Sequence, residues 1–108
     1  MVYVTVIKNS GHIRAVDVAG HAGFASFGKD IVCSAVSVLV QNTVNSILEF
    51  CEDKAEIEVI DGRDNYIHVD FEPNMTKECK LLVDSMMLGL TGLSKTYSDN
   101  ISLDIKEV

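Results

Sequence analysis

Proline occurs once in these 108 residues, against 47% hydrophobic residues. Disordered chains show the opposite balance, so the composition is that of an ordered domain. The length suits a single domain over residues 1–108 with one modest core. Cysteine is scarce and odd in number: Cys33, Cys51 and Cys79, with no C-x-x-C spacing and no Cys/His cluster. That argues against a disulfide framework and offers no zinc motif, so each thiol either fills core or reacts. Cations are few. Nine Lys and Arg face sixteen Asp and Glu, for a net charge of −7. A direct nucleic-acid binder normally needs a basic patch, whereas this balance permits a basic protein or peptide as partner. Long apolar runs are missing too. The longest, Ile31 to Val40, is broken by Ser34 and Ser37 and falls short of the roughly 18 residues of a membrane span. The opening "MVYVTVIKNSG" lacks the basic region of a leader and reads as a strand, so a cytoplasmic protein off the membrane is expected.

What is present alternates between two periods. "VYVTVIK" (Val2 to Lys8) and "HIRAVDVAGH" (His12 to His21) read as strands joined by the turn "NSG". A loop from Ala22 to Lys29, with Gly23 and Gly28, is expected to be mobile. Asp30 then opens a long helix running to about Asp53, with Ser34, Ser37, Gln41, Asn45, Glu49 and Glu52 tracing one narrow polar stripe. The rest of its early circumference is apolar, so it is covered on more than one side, by the sheet plus another helix or by a second subunit. "AEIEVI" and "YIHVDFE" form a second hairpin around "DGRDN", with Ile57, Val59, Ile67, Val69 and Phe71 inward. A second helix is expected from about Thr76 to Thr91 or slightly beyond, burying Cys79, Leu82, Val83, Met86 and Leu90 and closed by Gly92 and "SKTYSDN". "ISLDIKEV" is a last strand with Ile101, Leu103 and Ile105 on one face. The order β-β-α-β-β-α-β predicts an α+β fold, a sheet of about five strands with two helices packed on one face.

The chemistry concentrates in "GHAGFASFGKDIVCSAVSVLV", Gly20 to Val40. Asp30 directly before an apolar helical run has the chemistry of an N-cap. That places Cys33 in the first turn, where free backbone N–H groups and the positive helix end favour a thiolate. His21 lies twelve residues upstream, at the far side of a loop able to fold back, and histidine is the usual partner that activates a thiol at neutral pH. The N–H groups of Cys33 and Ser34 could hold an oxyanion. Phe24 and Phe27 either anchor the loop to the core or touch a ligand.

Other readings compete with each of these. A free cysteine is most often core. Cys51 shares the azimuth of Cys33 but sits about 27 Å away, at the helix's negative end. Cys79 falls on the apolar stripe of the second helix. His12 adjoins a turn, and His68 alternates with Tyr66 and Asp70 on the face opposite the core. Asp30 either caps the helix or orients His21, and its charge opposes a nearby thiolate. On the residues alone, a cap is favoured.

The block "GHAGFASFGKDIVCSAVSVLVQNTVNSI" resembles the signature of the ribosomal-processing cysteine protease family, Prp: G-H-A, a short glycine-containing loop, then D-I-V-C-[SA]-A-V-S. The strand pairs and length are compatible as well. The resemblance implies an α+β homodimer that needs no metal or cofactor. It also implies removal of a short N-terminal extension, ending in aromatic residues, from a basic large-subunit ribosomal protein. It puts the nucleophile on Cys33, the general base on His21 and the family's aspartate on Asp30. The loop residues Gly23, Phe24, Phe27 and Gly28 would then close on the substrate. The rival is a non-catalytic homodimeric module that binds a ribosomal protein during ribosome assembly, with Cys33 as packing.

Overall fold

The computed structural model describes residues 1–20, 27–60 and 66–108, with side chains from residue 31 onward in the second of these segments. The strands are β1 (Val2–Asn9), β2 (His12–Ala19), β3 (Ala55–Ile60), β4 (Tyr66–Phe71) and β5 (Ile101–Glu107). The helices are α1 (Phe27–Phe50), between β2 and β3, and α2 (Lys77–Thr96), between β4 and β5. One sheet takes the order β3-β4-β2-β1-β5, antiparallel throughout except for the parallel β1–β5 pair. Both helices pack on one face of that sheet, as the alternation predicts.

Each element follows from its residues. The β1–β2 connection is a tight two-residue turn in which Ser10 and Gly11 both take positive φ, 52° and 80°. Such a turn matches the twist of a hairpin. Val2, Val4 and Val6 of β1 and Val16 and Val18 of β2 are buried on the helix side. Val32, Val36, Val40 and Val44 recur every four residues on α1 and, with Ile47, are fully buried against that face. β-branched residues are mediocre helix formers, so burial outweighs propensity here. Burying each such side chain contributes about 1.5–3 kcal/mol. The segment Ile31–Phe50 is long and apolar enough to cross a bilayer, a property hidden from the sequence reading by Ser34 and Ser37. Its valine stripe nonetheless packs on a sheet, as a core helix does.

Four expectations need correction. α1 begins at Phe27, three residues before the expected start, and ends at Phe50 rather than near Asp53. The N–H of Cys51 still reaches the Ile47 carbonyl at 3.0 Å. Phe27 and Gly28 are therefore helical rather than part of the loop. Ile57 and Val59 share the core side of the sheet through their pairing with Val69 and Ile67, yet they are 37% and 46% exposed. They lie on an edge strand that the helix layer does not cover. Ile105, at the far edge, is 51% exposed for the same reason, and Leu103 is only part-buried. Gly92 does not stop α2, which continues to Thr96, inside the closing "SKTYSDN", and ends where the Tyr97 N–H bonds the Leu93 carbonyl at 2.9 Å. Its buried face is Cys79, Val83, Met86 and Leu90, with Leu82 only part-buried. The expected turn at residues 61–65 lies outside the described residues.

Asp53, buried between α1 and β3, fastens the two helical connections together. It accepts hydrogen bonds from the Thr76 N–H at 2.9 Å and from the Thr76 hydroxyl. The Thr76 hydroxyl oxygen caps α2 by accepting from the Cys79 N–H at 3.2 Å. These hydrogen bonds hold the Asp53 carboxyl below its ordinary range. Its stabilisation is therefore complete above an unfolded pKa of about 3.9 and is lost as pH falls through the lower folded value. Asp53→Ala should cost about 1–3 kcal/mol in urea unfolding at pH 7, through a lost carboxylate and an unsatisfied cap. The gap between wild type and variant should shrink below pH 4. A constant gap from pH 7 to pH 3 would contradict this role.

Candidate active site

Cys33 belongs to the N-terminal part of α1, one residue after the fully buried Val32 and three before Val36. It is half-buried and packs against the core cluster. Because α1 starts at Phe27, Cys33 is in the second helical turn and Asp30 in the first. Asp30 is thus not the N-cap, which corrects the preferred reading of that residue. The N–H groups of Cys33 and Ser34 fall where an α-helix bonds them to carbonyls four residues back, so they are not the free donors expected of a first turn. His21, Gly23 and Phe24 lie outside the described residues.

The other two thiols are differently placed. Cys79 is 1% exposed in the core, and burial together with the Asp53 carboxylate pushes its thiol up to about 12. Cys51 follows the C-terminal end of α1, where desolvation and then Asp53 raise its pKa. Neither environment favours a thiolate.

Histidine placement narrows the choice of base. His68 stands on the uncovered face of the sheet, opposite the helices. Its Nδ1 contacts the Asp17 carboxylate and its Nε2 lies 3.0 Å from Asp70. Tyr66 donates to the same Asp17 oxygen at 2.7 Å and stacks beside His68 at 6.3 Å. The hydrogen bond to Asp17 is the largest influence raising the His68 pKa, and it also drives Tyr66 to about 12. Sequence reading found the face of His68 but not its two carboxylates. The signal was Asp17 and His68 as cross-strand partners, which needs the β2–β4 register. His12 is exposed at the β1–β2 turn. α1 delivers its C-terminal end to β3, whose first residue lies level with the His12 end of β2. Cys33, 17 residues before Phe50, is therefore about 25 Å along the helix from that end. Neither described histidine can reach it.

Gly20, directly before His21, was quoted in the sequence motif without a reason. A Cβ there would stand 2.9 Å from the Val2 Cα and 3.2 Å from the Met1 carbonyl. Only glycine lets the chain leave β2 this close to the start of β1. Among the described residues, no group of three His, Cys, Asp or Glu side chains could hold a metal.

The α+β sheet thus carries a free, half-buried thiol near the head of its core helix, apart from the two raised thiols. The chain belongs to the cysteine protease Prp family, whose model matches residues 1–102. It is 26% identical over 100 residues to the ribosomal processing cysteine protease Prp of Staphylococcus aureus strain Mu50, covering 93% of each. It superposes on the crystal structure of the S. aureus ribosomal processing protease Prp in complex with a substrate peptide. There the TM-score is 0.87 and the identity 25%, over 98% of this chain and all of that one. The structure of the S. aureus protease with a covalently linked product peptide matches at TM-score 0.83 and 27% identity, with the same coverage.

Thiol environment predicts reactivity. Iodoacetamide at neutral pH, followed by peptide mass mapping, should label Cys33 much faster than Cys51, with Cys79 slowest. Equal rates at all three would remove Cys33 as an activated nucleophile.

Proposed function

We propose that this chain is an endopeptidase that removes the N-terminal extension of a large-subunit ribosomal protein, cutting after aromatic residues. Cys33 attacks the scissile carbonyl as a thiolate and holds the acyl group. His21 takes the thiol proton, gives it to the leaving amine and then activates the water that releases the product. The observation that carries this reading is the elimination of the alternatives. Cys79 is sealed in the core and Cys51 is raised by desolvation and then by Asp53, while His68 is on the wrong face and His12 at the wrong end. The S. aureus relative with a covalently linked product peptide supports an enzyme-bound intermediate. No metal or cofactor enters these steps.

Loss of the cap role changes the assignment of Asp30. In this proposal Asp30 orients His21 and stabilises the imidazolium, with Gly23, Phe24, Phe27 and Gly28 contacting the substrate's aromatic residues. The oxyanion donors are sought N-terminal to Cys33, because the helix uses the N–H groups of Cys33 and Ser34. The acidic chain, at −7, suits a basic product in the cytoplasm, and direct contact with nucleic acid is not required.

Incubation with a ribosomal protein precursor, read by intact mass, tests the proposal. Wild type should shorten the precursor at one bond, and Cys33→Ala should leave it whole. His21→Ala and Asp30→Asn should each lower turnover by about 10²-fold or more, the scale of general-base catalysis. Processing by Cys33→Ala would overturn the mechanism. Unchanged turnover in Asp30→Asn would return that residue to a structural role.

We also infer a homodimer. Val38 and Leu48 on α1 and Leu81 and Leu88 on α2 are 67%, 55%, 69% and 76% exposed, more apolar surface than a helix layer facing water usually carries. Light scattering at micromolar concentration should give twice the 11.8 kDa chain mass, and Val38→Glu with Leu88→Glu should give the monomer. A wild-type monomer would refute the inference.

A further inference from the structure

At the end of the sheet remote from Cys33, the β1–β2 turn and the β4–α2 connection enclose a cavity of about 360 Å³, the size of a small-molecule site. Lys8, His12, Arg14 and Lys80 line it, with Glu72 and Asp84. Three of the nine Lys and Arg residues of a chain charged −7 thus converge on one cavity. Lys80 and Asp84 pair with each other at 2.8 Å. Of the remaining lining groups, Lys8 and Arg14 are cationic and Glu72 is the one carboxylate.

The strand pairing is arranged to bring Arg14 here. Ile7 pairs with Ala15 but Lys8 pairs with Ile13, which leaves Arg14 as the extra residue of a β-bulge. Adjacent residues of a regular strand point to opposite faces, yet both Ile13 and Arg14 line the cavity beside Lys8. The Arg14 Nε is buried and lacks a hydrogen-bond partner among the described residues. A buried charged donor without an acceptor is costly, and an anion's oxygen supplies what is missing. The opposite wall is preformed: Asn74 holds the left-handed φ of 59° just after Pro73. Met75 and Val83 make the remaining surface apolar. The cavity therefore offers charge for an oxyanion and room beside it for an organic group.

We propose that this cavity binds the phosphate group of a small phosphate monoester, with Arg14 donating to one oxygen, Lys8 and Lys80 neutralising the dianion, and the ester's organic part against Met75 and Val83. This site is independent of the protease reading, because it uses neither Cys33 nor His21.

NMR titration of ¹⁵N-labelled protein tests it, with phenyl phosphate, inorganic phosphate and sodium chloride compared at constant ionic strength. Phenyl phosphate should give saturable shifts in the Arg14 Nε–Hε signal and in the amides of Gly11, His12 and Asn74. Inorganic phosphate should bind at the same signals more weakly, and chloride should not move them. Arg14→Gln should weaken binding about tenfold, as expected for a lost charge-assisted hydrogen bond. Lys8→Gln, at a strand end, provides a second variant should Arg14→Gln fail to fold, with weaker binding again expected. Shifts that do not saturate by about 10 mM ligand would overturn the proposal. So would tighter binding of inorganic phosphate than of the ester, or unchanged affinity in both variants.

Discussion

The burial of one valine stripe sets most of what this molecule can do. Val32, Val36, Val40 and Val44 lock α1 along the helix-side face of the sheet, and nothing in the intrinsic preference of valine would hold them in a helix without that burial. Helix position and thiol position are therefore one decision. With Val32 and Val36 fixed, Cys33 has one azimuth available, at the margin of the buried stripe. A residue on the stripe would be sealed, as Cys79 is on α2. A residue opposite it would lose all support. The half-buried margin is where a thiol can be both held and reached.

The helix ends are fixed by different means. At its C-terminal end, the chain passes through Asp53, which ties the α1–β3 connection to the first turn of α2 through Thr76. At its N-terminal end, the close approach of Gly20 to Val2 directs the chain out of β2. The first tie is polar and sealed from water; the second is steric.

Much of the architecture was legible because the two periods are clean: alternation in Val2 to Lys8 and in Tyr66 to Phe71, and four-residue recurrence after Ile31. The failures are physical. Asp30 is a strong start signal, and it masked a helix that begins one turn earlier at Phe27. Gly92 looked like a stop, but a single glycine costs only about 1 kcal/mol, which the flanking Leu90 and Leu93 contacts outweigh. Ile57 and Val59 alternate like core residues, and no local pattern tells an edge strand that its covering helix stops short. Of the candidate site, Cys33 and His21 stand in one sequence motif, and of the two only Cys33 lies among the described residues. The ranking of the three thiols was not legible in the sequence, because the desolvation that chiefly raises Cys51 and Cys79 is set by tertiary packing.

The two carboxylate-rich arrangements away from the thiol show how an acidic chain keeps its charges apart. On the open face, Asp17 and Asp70 flank His68 and Asp17 also takes the Tyr66 hydroxyl. Cross-strand carboxylates would otherwise repel each other, and the imidazole between them turns repulsion into pairing while it is protonated. Because its partners raise the His68 pKa, this contribution is complete below the unfolded value of about 6.5 and is lost as pH rises through the higher folded value. Asp53 behaves oppositely and fails only in acid. The sheet therefore carries one tie that weakens on each side of neutrality: Asp53 at the helical connections, His68 on the open face. Neither involves the α1 segment around Cys33, so the helix that carries the thiol is held by apolar burial rather than by either tie.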